Sequence, residues 1–252
     1  MSTWARRRKT MYVGGVVICV VVFVGFPLFA KLYTPATCFD GKLNQGEYGA
    51  DCGGPCKKLC SSQFLPPIVE WARALPVTRG VYNVLAYVQN PNLDGQAKNA
   101  SYIFKLFDRE GVLIGEKRGT AFLLPHSIVP VFEGGIVAGE RLPALVTFEF
   151  REPLPWEKIE YGDPGLVVLD KTLSRETASP RVDAVVQNRS TRALRNIEVT
   201  AIVYDTEDNA MAFSKTRIDA LRGNDSDRIT FTWPERFPKK SSRVEIIPLV
   251  NP

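Results

Sequence analysis

The strongest hydrophobic signal in the chain is an uninterrupted apolar run close to its start. Residues 11–30 read MYVGGVVICVVVFVGFPLFA and contain no charged side chain. A helix rises 1.5 Å per residue, so about 20 apolar residues cover a hydrocarbon core of roughly 30 Å. The run therefore predicts a transmembrane helix over Met11–Ala30.

Beyond this run the apolar residues alternate along short segments, as in half-buried strands, and the alternation occurs twice. The segment VLAYVQN at 84–90 recurs as VDAVVQN at 182–188, and NASYIFKLFD at 99–108 recurs as NIEVTAIVYD at 196–205. A repeat near 100 residues is as long as a domain and too long for a solenoid unit. Each copy is therefore predicted to form its own domain.

Both copies are predicted to be β-sandwiches, because short strands with turns between them fill each copy and no second long helix is indicated. The predicted strands are Ile68–Leu75, Val84–Val88, Tyr102–Phe107, Val112–Lys117, Ser127–Glu133 and Leu145–Phe150 in the first copy, and Leu166–Leu173, Val182–Val186, Ile197–Tyr204, Ala210–Thr216, Asp227–Trp233 and Arg243–Leu249 in the second.

The predicted fold class is therefore mainly β: one N-terminal transmembrane helix, a small Cys-rich segment stapled by disulfides, and two tandem immunoglobulin-like sandwiches. The predicted organisation is a basic tail (1–10), the anchor (11–30), a tether and Cys-rich knot (31–64), sandwich 1 (65–152), a linker (153–165) and sandwich 2 (166–252). The linker is short and contains prolines, so it should hold the sandwiches semi-rigidly.

Charge determines the expected topology. Arg6, Arg7, Arg8 and Lys9 precede the apolar run and predict a cytoplasmic N-terminus, with residues 31–252 outside the cell membrane. Residues 31–252 hold 28 basic and 27 acidic residues, so they lack the positive charge excess of a nucleic-acid-binding protein. Three alternatives to an anchor remain open: a cleaved signal peptide, a lipoprotein lipidated at Cys19, and a buried core helix.

The four cysteines of the segment after the tether are Cys38, Cys52, Cys56 and Cys60. An even number of cysteines outside the cytoplasm indicates two disulfides, with three possible pairings. A structural zinc is the alternative, although the spacing differs from the paired C-x₂-C pattern of zinc ribbons.

The same segment carries oxygen-bearing side chains in a Gly-rich loop, as a hard cation requires. They are Asp40, Asn44, Glu47 and Asp51, and they make calcium a possible cofactor; no other cofactor is expected. Their spacing differs from that of an EF-hand loop, and turns use the same residue types without a metal.

The Cys-rich segment resembles a short motif of bacterial surface and secreted proteins, C-x-D-G-x-x-N-x-x-E-x-G-x-D-C-G-G-x-C-x-x-C. It matches from Cys38 to Cys56 and departs afterwards, where three residues instead of two precede Cys60. The resemblance implies a bacterial protein exposed at the cell envelope and implies no activity.

The two copies resemble FxLYD-type immunoglobulin-like domains, which are similar in pattern to the type-2 late-embryogenesis-abundant sandwich. The resemblance depends on the V-x-A-x-V-Q-N strand and on the segments Phe104–Asp108 and Ile202–Asp205, and it covers about residues 66–250. It implies sandwiches of about seven strands, an envelope location and an accessory or binding role.

The chain offers little for catalysis. It contains one histidine, His126, and no nucleophile elbow, phosphate-binding loop or H-E-x-x-H motif. We expect Trp71 and Trp233 to lie in the sandwich cores and Trp156, in the linker, to mark an interdomain contact. The expected function is that of a non-enzymatic structural or binding subunit with protein partners in the envelope. The alternative is an accessory or substrate-binding subunit of an envelope enzyme or transport complex.

Overall fold

The computed structural model describes residues 3–28, 36–151, 153–159 and 164–250. The described chain is 54% strand and 11% helix, which confirms the predicted mainly β fold class. It forms two compact units, Met1–Cys56 and Lys57–Pro252. Residues 1–2 of the tail, residues 29–30 of the predicted anchor and residues 31–35 of the tether lie outside the described residues.

The first unit begins with helix α1 (Thr3–Val20), which continues through a π-helical turn at Val21–Gly25. The helical segment Arg6–Leu28 has 23 residues, a mean hydropathy of 2.4 and no buried residue in its most apolar window. It is long and apolar enough to cross a membrane, and its exposure contradicts a core helix. A signal sequence has the same properties.

The second unit contains the strands that the structure describes, and every strand predicted from the alternation is present. They are β1 (Ile68–Thr78), β2 (Val81–Asn90), β3 (Gly95–Phe107), β4 (Leu113–Leu123), β5 (Ser127–Val137), β6 (Leu145–Phe150), β7 (Trp156–Lys158), β8 (Leu166–Ser174), β9 (Arg181–Asn188), β10 (Leu194–Asp205), β11 (Ala210–Leu221), β12 (Ser226–Thr232) and β13 (Ser241–Val250). The structure also has one strand that was not predicted, β7, which lies in the predicted linker.

The strands form two sandwiches with one topology. In sandwich 1 the sheet β1-β2-β5 faces the sheet β4-β3-β6, and in sandwich 2 the sheet β8-β9-β12 faces the sheet β11-β10-β13. The sequence repeat is therefore a structural repeat. Each sandwich has six strands, whereas the resemblance implied about seven. In sandwich 1 the short strand β7 also pairs with β3.

The two cores are built by alternating inward side chains. Phe104 and Leu106 are fully buried in sandwich 1, and Val182, Ile197 and Phe231 are buried in sandwich 2. Residues on the opposite face of the same strands point away from these cores, as the two-residue period of a strand requires.

Two of the three tryptophans whose positions were predicted differ from expectation. Trp156 is 1% exposed and packs in the core of sandwich 1, where its ring centroid lies 4.8 Å from that of Phe64. Trp71 lies outside that core and stacks on Tyr87 at the contact between the sandwiches. A register shift in β1 between Val69 and Trp71 accompanies this placement, since a one-residue slip moves a side chain to the other face. Trp233 packs against the core of sandwich 2, as predicted.

The last residue of the repeated V-x-A-x-V-Q-N segment ties loops together in both sandwiches. Asn90 and Asn188 are both 0% exposed. The Asn90 amide donates to the carbonyls of Gly95 and Leu124, and the Asn188 amide donates to those of Arg192, Leu221 and Arg222. Each Asn Oδ1 accepts the backbone N–H two residues ahead. The motif therefore connects the loop after the second strand to the end of the fourth strand.

The aspartate that ends the third strand of each repeat organises a hairpin turn. Asp108 accepts the backbone N–H groups of residues 110 and 112, and Asp205 those of residues 207 and 209. A cation from a neighbouring loop completes each site: Arg141 binds Asp108, and Lys239 Nζ lies 2.9 Å from Asp205. Backbone donors and Lys239 lower the pKa of Asp205 to about 2.

This lowered pKa predicts acid sensitivity. The stabilisation from the Asp205 carboxylate is complete above its ordinary pKa of 3.8 and is lost as pH falls through about 2. We expect the thermal midpoint of the wild type to fall faster between pH 4 and pH 2 than that of Asp205→Asn, whose amide oxygen retains the two backbone contacts. Asp219→Asn, at an exposed side chain, is the control and should follow the wild type. Parallel pH profiles of wild type and Asp205→Asn would contradict the assignment.

Candidate functional site

The Cys-rich segment contains the two predicted disulfides. Cys38 is bonded to Cys56, and Cys52 and Cys60 are also disulfide-bonded. Of the three possible pairings, the structure therefore forms the one that contains Cys38–Cys56. Thiolate ligands for zinc are absent from the described segment, because all four sulfurs are oxidised.

The four residues predicted for calcium lie in one hydrogen-bonded network. The Asp51 carboxylate accepts the backbone N–H groups of Asp40 and Gly41, and the Asn44 amide donates to Asp40 Oδ2 at 2.9 Å. Glu47 Oε2 accepts the backbone N–H groups of Asn44 and Asp51. The structure thus assigns these side chains a role in holding the loop, and calcium remains a prediction.

The predicted topology residues Arg6, Arg7, Arg8 and Lys9 are exposed on the first turns of α1. The Arg8 guanidinium lies over the Trp4 ring, 4.1 Å from its centroid. His126 is exposed, and its backbone N–H donates to the Asn92 carbonyl.

An apolar contact joins the two sandwiches within the second unit. The outer face of β1-β2-β5 packs on the outer face of β11-β10-β13, away from either core. The buried residues of this interface are Leu85, Ile202, Tyr204, Ala210 and Phe213, with Trp71, Leu75, Tyr87, Phe132 and Ile247 partly buried around them. A contact of this kind holds the sandwiches in one arrangement, because separating them would expose the apolar cluster to water.

A carboxylate with two tyrosine partners fixes this arrangement further. The hydroxyls of Tyr87 and Tyr204 each donate to one oxygen of Glu245, both at 2.8 Å. Burial, together with the hydrogen bond to Glu245, raises the pKa of both tyrosines above the ordinary value. From sandwich 1, Arg73 donates to the Asn209 side chain and to the Ala210 carbonyl. These directional bonds add a defined orientation to the apolar contact.

Beside this interface lies a cleft of about 320 Å³. Strands β4 and β5 of sandwich 1 form one wall, with Tyr102 from β3, and β10, β11 and β13 of sandwich 2 form the other. On the first wall the Tyr102 hydroxyl donates to Glu133 Oε1 at 2.7 Å. On the second, Lys215 Nζ lies 3.3 Å from Glu198. Burial, and then the bond to Glu133, raises the pKa of Tyr102, so the phenol stays neutral.

The sequence analysis did not identify the polar residues of this cleft. One signal was available: Glu133 follows Val129 and Val131 in the alternation of β5, so it takes a core-facing position. A carboxylate at such a position is costly unless the fold or a ligand uses it.

A second feature is an apolar end of sandwich 1, which we call the apolar tip. It comprises Val112, Leu113, Val137, Leu142 and Leu145, which are 45–72% exposed. Leu113 in β4 and Leu145 in β6 both pair with Phe107 in β3, the strand between them. Arg141 joins the two loops of the tip through Asp108. Clusters of this kind on a soluble domain mark interaction surfaces.

In comparisons with known proteins, neither a family model nor a curated protein matches the chain. By fold it is a tandem β-sandwich protein with a disulfide-bonded segment.

Solved structures with distant similarity include red sea bream transglutaminase (12% identity, TM-score 0.25, 75% of this chain and 31% of the other). Another is Bacteroides uniformis β-glucuronidase (13% identity, TM-score 0.22, 64% of this chain and 22% of the other). A third is a putative β-galactosidase from Bacteroides fragilis (10% identity, TM-score 0.21, 69% of this chain and 33% of the other). The chain spans about a third or less of each, and the scores carry no functional argument.

Proposed function

We propose that this protein is a membrane-anchored, extracytoplasmic scaffold and binding protein. Its two sandwiches are displayed as one rigid body, as a subunit of a cell-envelope assembly. The N-terminal helix supports an anchored location, with the basic cluster at Arg6–Lys9 in the cytoplasm. The two disulfides fit an oxidising compartment. The resemblance to FxLYD-type domains supports a non-enzymatic role.

The observation that carries the proposal is the apolar tip. Its five aliphatic side chains are exposed on a domain that has its own complete core. Charges of both signs surround it, including Arg109, Glu110, Glu140 and Arg141. A surface with an apolar centre and a mixed polar rim has the composition of a protein–protein interface. The partner that it fits is therefore another protein of the envelope.

The test is co-purification of the tagged chain from cross-linked, detergent-solubilised membranes. We expect a partner chain to co-purify with the wild type and to be lost from Leu142→Glu/Leu145→Glu, because charges replace the apolar centre of the tip. Both positions are more than half exposed, so the variant should fold.

Leu93→Glu is the matched control. Leu93 is 71% exposed and follows β2 at the opposite end of the sandwich, so this variant should retain the partner. If no chain co-purifies with the wild type, or if the tip variant retains it, the proposal fails.

The alternative function is an accessory or substrate-binding subunit of an envelope enzyme or transport complex. The cleft between the sandwiches favours it, because ligand sites occur preferentially between domains and combine apolar walls with a few polar groups.

A further inference from the structure

The cleft contains a polar group where the repeat calls for a core residue. Glu133 pairs with Val84 across the sheet, and the corresponding pair in sandwich 2 is Phe231 with Val182. Phe231 is 2% exposed in the core of sandwich 2. Sandwich 1 thus has a carboxylate at the position where sandwich 2 has a phenyl ring.

Two further differences at the same place accommodate this carboxylate. Tyr102 pairs with Gly119, and the corresponding pair in sandwich 2 is Val199 with Thr216. A Cβ at position 119 would collide with both the Tyr102 hydroxyl and the Glu133 carboxylate. The absence of a side chain at Gly119 therefore makes room for the Tyr102–Glu133 hydrogen bond. Three coordinated departures from one repeat indicate a built feature rather than a tolerated substitution.

The Glu133 carboxylate has no bonded cation among the residues that the structure describes. Tyr102 is a neutral donor, and within the described part of the chain no ion pair joins Glu133 to a cation. Across the cleft Glu198 is neutralised by Lys215 at 3.3 Å. The cleft therefore holds one net negative charge, at Glu133.

Apolar residues also line both walls, between these polar groups. Val129 and Val131 lie on the side of sandwich 1, and Leu249 and Val250 lie on the side of sandwich 2. A volume of about 320 Å³ is at the small end of the range for ligand sites. A half-buried carboxylate within such walls binds a cation best when the cation brings an apolar body.

We propose that this cleft is a binding site for a small organic cation, namely a primary amine with a short apolar body, whose ammonium group binds Glu133. The alkyl part contacts Leu249 and Val250, the partly exposed apolar residues of the far wall. The site needs both sandwiches, because Glu133 and the apolar residues on the far wall belong to different domains. It is separate from the apolar tip and does not depend on a protein partner there.

The experiment is a ligand-observed NMR titration of the full chain in a non-ionic detergent, with n-butylamine as the probe. For a ligand of this size we expect a Kd on the order of 1 mM. Glu133→Gln should weaken binding at least tenfold, because it removes the charge and retains an oxygen for the Tyr102 hydroxyl. The uncharged n-butanol should not compete.

Two further variants separate this role from surface attraction and from a structural role. Glu149→Gln removes an exposed carboxylate elsewhere on sandwich 1 and should bind n-butylamine like the wild type. Glu133→Leu, which follows the apolar pattern of sandwich 2, should abolish binding. Absence of binding by the wild type, or equal binding by Glu133→Gln or Glu133→Leu, would overturn the proposal.

Discussion

A Leu85→Asp variant is expected to separate the two sandwiches while leaving each folded. Leu85 is 0% exposed in the interface cluster with Ile202 and Phe213. An aspartate there would be a buried charge without a partner, which costs several kcal/mol. Opening the interface to water avoids that cost. Scanning calorimetry of the full chain in detergent should therefore change from one transition for the second unit to two.

The second repeat shows that the sandwich itself accepts this residue. Asp183 occupies the position of Leu85 in β9, pairs with Arg181 at 2.7 Å and lies outside the core. Asp183→Leu is the reciprocal control, and it should keep a single transition because it does not touch the interface. A single, unshifted transition for Leu85→Asp would show that the cluster does not couple the sandwiches.

Asn188→Ala is expected to destabilise sandwich 2 by about 3 kcal/mol, since each buried polar group left without its partner costs roughly 1–3 kcal/mol. The asparagine is fully buried, and its amide serves three carbonyls, at residues 192, 221 and 222. Alanine cannot replace any of these bonds. The measurement is urea unfolding of the full chain, followed by Trp233 fluorescence in a background where the other tryptophans are phenylalanine.

Gln187→Ala is the matched control for that loss. Gln187 is the preceding residue of the same motif, and its side chain points outward and contacts only the exposed Arg189 side chain in the described structure. Its removal should change stability by less than about 0.5 kcal/mol. If the two variants unfolded alike, the loop-tying role of the asparagine would be wrong.

The strands could be predicted because their signal is local. A period-two alternation reports which face of a strand is buried, and turns of Asn, Asp and Gly mark the ends. All twelve predicted strands are present, although the structure extends several of them. The missed strand, β7, has three residues, which is too short to show a period, and it is held by Trp156 in the core.

The interface and the cleft could not be predicted by the same means. Alternation says that Leu85 and Ile202 face away from their own cores, but it does not say what covers them. Trp71 and Trp156 show the same limit, since each took the role predicted for the other. A single tryptophan, whether in a strand like Trp71 or in a linker like Trp156, is compatible with a core, an interface or a surface.

The amino-acid sequence by itself determined the apolar N-terminal helix, the two disulfides, the repeat and the β-sandwich class, because each depends on residue type and short-range spacing. Only the tertiary structure decided the cysteine pairing, the packing of one sandwich on the other and the cleft at Glu133. These depend on residues far apart in the chain, such as Tyr87 and Glu245. Their proximity follows from how two folded sheets pack and from no pattern along the chain.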